Sequence, residues 1–495
     1  MADSYLHGAY GQQQAVGSRV ATKSQNAIVY IGTAPVHTLE GGGANVNKPV
    51  LVENIAEARK YFGYSDNLAD YTLCEAMKVH FEQGGVGPLV FINVLDPAKH
   101  VTADKKSKSL TPENGRVVIA GAEKIVLDTL SVKAGSTAKK KGEDYTLRYD
   151  SGKKTLTLAE AADGALGASA LTIEYKEIDP SAVTAEDVIG ASDGAGLNTG
   201  VFAIKNVYQQ TGYIPSFLLA PGFSSIPAVH SAMAQNSRKI NGHWDAYMFV
   251  DLPLVSGATP VTLASAKTFK KANGYTKENE TVYFPMAQGT DGIKYHLSVL
   301  AAANFQALLA AQDGIPYKTA SNTDCGIIEN LYMGEDNAGR VYDDALINEA
   351  LCKNGIASAA YVGGRWCIWG CHSADYDQES GDQINVSETN RMMLYYISND
   401  FQHRRTLDVD KPLTANDIAS IVAEEQTRLD ALTKIGALTY GEAHLNADAD
   451  AKSDIMNGDY SFTFNVTTTP LAKSLTAIVN WTEDGFTTYF ENFGD

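Results

Sequence analysis

The sequence predicts an α/β (α+β overall) protein: a mostly parallel α/β sheet core with an inserted small antiparallel β domain and extended N- and C-terminal β arms. Three observations carry this expectation. Short apolar runs, such as 27–31 and PLVFINVL (88–95), alternate with helix-length amphipathic segments, the order that builds a parallel sheet. Residues 99–178 switch to period-two alternation with turns about every ten residues. Near the end, Tyr460, Phe462, Phe464 and Val466 alternate with Ser461, Thr463, Asn465 and Thr467, as in a half-buried strand.

Taken along the chain, residues 1–27 are rich in Gly, Gln, Ser and Ala, with Tyr5 and Tyr10 isolated among them, and read as an extended arm. Residues 28–97 begin the core. Strands are expected at 27–31, 49–52 and 88–95, and helices at 55–62 and 68–83, the second carrying Leu68, Tyr71, Cys74 or Glu75, Met77, Val79 and Phe81 on an imperfect apolar face. Gly84, Gly85 and Gly87 stop it. The insert, 98–180, is bracketed by Asp96-Pro97 and Asp179-Pro180 and reads as a small β-sandwich or barrel. Its residues 99–178 hold 14 Lys/Arg and 11 Asp/Glu, a balance of +3 that leaves −21 for the rest. Residues 181–355 return to α/β, with strands at 217–220, 244–250 and 281–286 and helices at 201–211, 226–241, 260–273, 294–312 and 343–354. Residues 356–458 add strands at 359–362 and 366–369 and helices at 387–403 and 415–435. The last helix opens on a capping box, Thr414 and Asp417, and carries Ile418, Ile421, Val422, Leu429 and Leu432 in one stripe. Residues 459–495 form the C-terminal arm, with further strands at 475–481 and 486–490.

Composition narrows the function. A net charge of −18 repels nucleic acid and anionic membrane at long range. No apolar run approaches the roughly 18 residues a membrane span needs, and MADSYLHGAYGQQQ is not read as a secretory leader. Five cysteines make no disulfide framework and fit a reducing compartment. No P-loop, GxSxG elbow, HExxH or paired CxxC is present. GGGAN (41–45) lacks the Lys-Ser/Thr of a phosphate cradle and reads as a flexible loop. Cys367, Cys371 and His372 lie in strand-like sequence, where residues four apart are ~13 Å from each other, too far to share an ion. The acidic stretch 446–454 has Lys452 where a calcium loop needs an oxygen. Ser151 and Lys154 match SxxK but sit in a Lys-rich hairpin. The residues therefore offer no catalytic, cofactor or metal site, and leave three readings: a structural subunit, a hydrolase-like α/β enzyme with a β binding domain, or an adhesion module built on the insert.

GTAPVH (32–37), the block NKPVLVENIAEARKYFGYSDNLADYTLCEAMKVHFEQGGVGPLVFINVLDP (47–97), DVIGASD (187–193), APGFSSIP (220–227) and ISNDFQHRRTLDVDKPLT (397–414) resemble tail sheath proteins of contractile bacteriophage tails and phage-tail-like particles. The resemblance covers most of 1–97 and 180–495 and leaves out the insert. It implies a non-enzymatic subunit of stacked homo-hexameric rings around an inner tail tube protein. Baseplate and tail terminator proteins are the other implied partners, and the place is the virion or a phage-tail-like particle made in the bacterial host cytoplasm. It implies contraction from a metastable extended state, driving the tube through a cell envelope without nucleotide, cofactor, nucleic acid or membrane insertion. It also implies an outward-facing insert and arms that add strands to sheets of neighbouring subunits. The matching arm residues are Tyr5, Tyr10, Phe462, Phe464, Val466, Phe486, Tyr489 and Phe490, and Arg404 and Arg405 are the expected tube-facing charges.

Overall fold

The computed structural model describes residues 26–334, 339–376, 383–446 and 454–491. Tyr5, Tyr10 and residues 447–453 of the acidic stretch lie outside the described residues. The chain divides into two compact units between Val409 and Asp410.

The first unit is built on an eight-stranded sheet. Its first strand, β1 (Asn26–Gly32), is buried along almost its whole length and lies inside the sheet with a parallel neighbour on each side, as a continuous apolar run demands. β2 (Pro49–Val52) and β3 (Leu89–Asn93) lie on one side of it; β11 (Ile214–Leu219), β12 (Tyr247–Asp251), β15 (Glu280–Tyr283), β19 (Ile356–Val362) and β20 (Arg365–Trp369) follow on the other. The strands between β3 and β19 are parallel, and β2 and β20 close the edges antiparallel. The mostly parallel core expected from the alternation is present. The helices are α1 (Ile55–Phe62), α2 (Thr72–Ala76), α3 (Ala185–Ile189), α4 (Val207–Thr211), α5 (Pro227–Asn236), α6 (Ala266–Ala272), α7 (Leu297–Ala311), α8 (Asp344–Ala350) and α9 (Glu388–Arg405).

Several expected elements differ in form. The helix expected over 68–83 is α2 running into a π-helical stretch, Met77–Gln83. Residues Gly200–Asn206 are 3-10 rather than α. The strand expected at 281–286 breaks after Tyr283, and Met286–Gly289 (β16) turns away to pair with β17 (Lys294–His296) and β18 (Ile328–Tyr332). GGGAN is a 3-10 turn (Gly42–Asn45) entered through left-handed Gly41, not a loose loop; Gly41 N donates to Asp128 Oδ1 at 3.1 Å, which ties it to the insert. A short hairpin, β13 (Val255–Ser256) and β14 (Thr259–Pro260), follows β12.

The insert has a core of its own. β4 (Lys106–Leu110), β10 (Leu171–Tyr175), β6 (Ser131–Ala134) and β7 (Thr137–Lys139) form one antiparallel sheet; β5 (Arg116–Ala120), β9 (Thr155–Glu160) and β8 (Tyr145–Asp150) form the other. Val117, Ile119, Leu156, Leu158, Leu171 and Ile173 point between the sheets while Val118 points out, the alternation read from sequence. Entry and exit lie side by side, through an antiparallel bridge between Val101 and Ile178. Lys106 and Lys108 stand on edge strand β4, where charge discourages further pairing.

The second unit is α10 (Ala415–Lys434) packed on an antiparallel pair, β21 (Leu438–Leu445) and β22 (Phe462–Thr468), followed by a segment without helix or strand and a terminal helix, Asp484–Glu491. The capping box is formed as expected, with Thr414 and Asp417 bonding each other's backbone N–H.

Candidate functional site

The most enzyme-like place in the first unit is the carboxyl end of the parallel strands, where chain order reverses between β1 and β11. Open α/β sheets bind ligands at such a switch point. Here the polar side chains are spent on one another. Asp251, the last residue of β12, accepts Ser298 N (3.1 Å) and Ser298 Oγ from the first turn of α7. Glu75 of α2 accepts His296 N at 2.6 Å on Oε1 and His296 Nδ1 at 2.7 Å on Oε2. Burial alone would lower the His296 pKa, but Glu75, with Asp251 behind it, raises it to about 9. A histidine protonated at neutral pH cannot accept a proton as general base. The cluster is a staple between α2, β12 and α7.

Other buried polar groups are likewise structural. His230 and Glu280 pair at 2.6 Å with the imidazole stacked on Tyr275. Lys270 donates to Asn354 O at 2.7 Å and to Ala374 O. Cys367 is buried in β20, as are Cys74, Cys325 and Cys352 elsewhere in the unit. Among the described residues no group of three His, Cys, Asp or Glu could hold a metal ion. No helix of the described residues is long and apolar enough to cross a membrane.

The C-terminal arm residues expected from sequence lie in the second unit. α10 lays Ile421, Leu429 and Leu432 on β21, and Gly441 leaves room for this: a Cβ there would lie 2.8 Å from Leu429 Cβ. Gln426 matches the outer backbone of β21, its Nε2 donating to Gly441 O (3.0 Å) and its Oε1 accepting Ala443 N (2.9 Å). In the register, Phe462, Phe464 and Val466 stand opposite Leu445, Ala443 and Gly441. Directly opposed residues share a face, so these three half-buried side chains lie on the face turned towards α10, and their strand pairs inside its own chain.

Beyond Thr468 the picture changes. Residues 469–481 form no helix or strand. Leu475, Ile478, Val479 and Trp481 are 91%, 83%, 89% and 80% exposed. In an extended chain Leu475, Ala477, Val479 and Trp481 fall on one side. The strand expected at 475–481 thus has the alternation of a strand without a strand partner among the described residues. The strand expected at 486–490 is replaced by the helix Asp484–Glu491: Asp484 N donates to Thr482 Oγ1 at 3.1 Å, opening a turn that bonds its own backbone where no neighbouring strand is at hand. Phe486 and Tyr489 are exposed on it; the Phe490 side chain lies outside the described residues.

Arg404 and Arg405 end α9, and both are engaged within the chain. Arg404 Nε donates to Asp400 Oδ2 at 2.9 Å and Arg405 bonds Asp408 Oδ2 at 3.4 Å. Two exposed apolar groups lie just beyond them, Leu407 (77%) and Val409 (68%). Sequence reading missed these two because a lone Leu and Val between charges carry no periodic signal.

No protein-family model matches the chain. The tail sheath protein of Burkholderia phage BcepMu is 30% identical to it over 258 residues, 51% of this chain. That stretch is 50% of the relative, so the chain spans about half the length of the curated relative it matches. In fold it is similar to a chain of the anti-feeding prophage baseplate (12% identity, TM-score 0.54, 97% of this chain and 100% of that one). It is similar also to a chain of the sheath complex of the PVC extracellular contractile injection system in its contracted state. There the identity is 10% and the TM-score 0.54, over 98% of this chain and 100% of that one. At these identities the likeness is one of fold.

Proposed function

We propose that this chain is a structural subunit of a contractile tail sheath, with no catalytic task of its own. Copies assemble as stacked hexameric rings around an inner tube and contract from a metastable extended state, pushing the tube through a cell envelope. The observation that carries this is the 475–481 segment: an alternating apolar stretch, neither helix nor strand, displayed to solvent in a unit whose own sheet has two strands. A two-stranded sheet is marginal alone, and an exposed stretch of this kind gains most by joining a neighbour's sheet through backbone hydrogen bonds. The sequence relative and the two shared folds support the same reading.

In this scheme the C-terminal link is 470–483 together with Phe486, Tyr489 and Phe490. Phe462, Phe464 and Val466 belong to the sheet it joins, and Tyr5 and Tyr10 mark the second arm. The α9 corner with Arg404, Arg405, Leu407 and Val409 faces the tube. Baseplate and terminator proteins cap the polymer. Rearrangement of subunits that buries some hundreds of Å² more apiece yields several kcal/mol at ~25 cal/mol per Å² before opposing costs, so a polymer needs no nucleotide to do work.

The test is negative-stain electron microscopy of the concentrated protein, alone and with its tube protein. Hollow ringed tubes are expected from the wild type and lost in Val479→Asp/Trp481→Asp, whose circular dichroism should match the parent. A small closed oligomer in place of tubes, or tubes undiminished by the double variant, rejects the arm assignment.

A further inference from the structure

We infer that the seam between the insert and the core is a binding site for a neutral saccharide. A cleft of about 300 Å³ lies there, at the lower end of the roughly 300–1,000 Å³ of small-molecule sites and matched to one or two sugar rings; ligand sites favour such boundaries. Glu40, Arg59 and Tyr64 line it from the core, and Leu147, Tyr149 and Ser151 from the insert. Three bonds across the seam set its shape in the free chain: His37 Nε2 on Glu123 O (2.8 Å), Gly41 N on Asp128 Oδ1 (3.1 Å) and Lys141 Nζ on Glu40 Oε2 (3.1 Å). A site formed in advance loses little to ordering when it binds.

The chemistry of the walls selects the ligand. Tyr149 and Leu147 offer apolar surface suited to the C–H face of a pyranose, while the Tyr64 ring is buried beneath the Arg59 guanidinium, 4.5 Å from its centroid. The charged groups are already compensated, Glu40 by Lys141 and Arg59 by Glu82 at 2.6 Å, so the cleft calls for no counter-charge. Each still has hydrogen-bonding capacity left, a carboxylate for further donors and a guanidinium for further acceptors, and Ser151 adds a hydroxyl. An aromatic wall, paired ions and a hydroxyl suit a polyhydroxylated, uncharged molecule.

This inference does not rest on the sheath reading, since monomer and polymer both carry the seam. The test is saturation-transfer difference NMR of the full-length protein with glucose, galactose, mannose and N-acetylglucosamine, each tried singly. Transfer to the ring protons of at least one sugar is expected. Tyr149→Ala should weaken binding about tenfold by removing the stacking surface. Leu147→Trp should fill the cleft and abolish the signal, and Lys133→Glu on the far sheet of the insert should leave it unchanged. Circular dichroism of each variant checks the fold, and Ser151→Ala replaces any that does not fold. Absence of transfer to all four sugars, or equal transfer in the wild type and the folded cleft variants, overturns the proposal.

Discussion

Three histidines set opposite demands on pH. His37 and His80 are buried, and burial lowers their pKa values to about 4 and about 3. The unfolded chain therefore binds protons that the folded chain refuses, and stability falls as pH drops below ~6.5 towards those values. His296 is the reverse: its raised pKa stabilises the fold fully below ~6.5, a contribution lost as pH rises through about 9. Urea midpoints measured from pH 4 to pH 10 should peak near neutrality. His37→Gln should flatten the acid limb, and Glu75→Gln the alkaline one; a limb unchanged by its variant would assign that dependence elsewhere. At this scale sequence is a poor guide. His37, His80 and His296 look alike as scattered residues, and only the tertiary neighbours separate two neutral rings from a charged one.

The second unit shows how elements support one another. The capping box of α10 was legible because it is local: Thr414 and Asp417 lie three apart. Thr414→Ala should cost about 1 kcal/mol of the unit's stability, and Leu429→Ala, which empties the α10–β21 contact, ~2–5 kcal/mol. Gly441→Val should also destabilise, by ~1–3 kcal/mol, because the new side chain meets Leu429. Hydrogen exchange in α10 and β21 reads all three. β21 is not predicted as a strand because LTYGEAHL alternates weakly; its glycine makes room for Leu429 of α10, the helix just before it. Residues 486–490 were misread for the complementary reason. FTTYF has strand-forming side chains, but a strand needs a second strand beside it, and here the segment coils into a helix.

At the scale of the whole molecule, charge and arms compete. Every copy carries −18, so bringing copies together costs Coulomb repulsion that salt screens over a Debye length of ~8–10 Å at physiological ionic strength. Assembly should therefore strengthen with added salt, read as a falling critical concentration in sedimentation; weakening with salt would point to ion pairs as the main link. Removing residues 470–491 should abolish the polymer and leave the first unit's melting transition unmoved. Replacing residues 102–177 by a short Gly-Ser linker should spare both, since Val101 and Ile178 already lie side by side; loss of tubes in that variant would place the insert inside the lattice.

By itself the sequence determined the parallel core, the inserted β domain with its inward Val117, Ile119, Leu156 and Leu158, and the acidic balance of the whole. Each depends on periodicity or composition, which are properties of neighbours in the chain. Only the tertiary structure decided that Phe462, Phe464 and Val466 pair at home while Leu475, Val479 and Trp481 stay exposed, and that Glu75 and His296 staple a would-be active crevice. Those outcomes turn on which groups from distant segments meet. A hydrogen bond or an ion pair between such groups leaves no mark on the local pattern of either one.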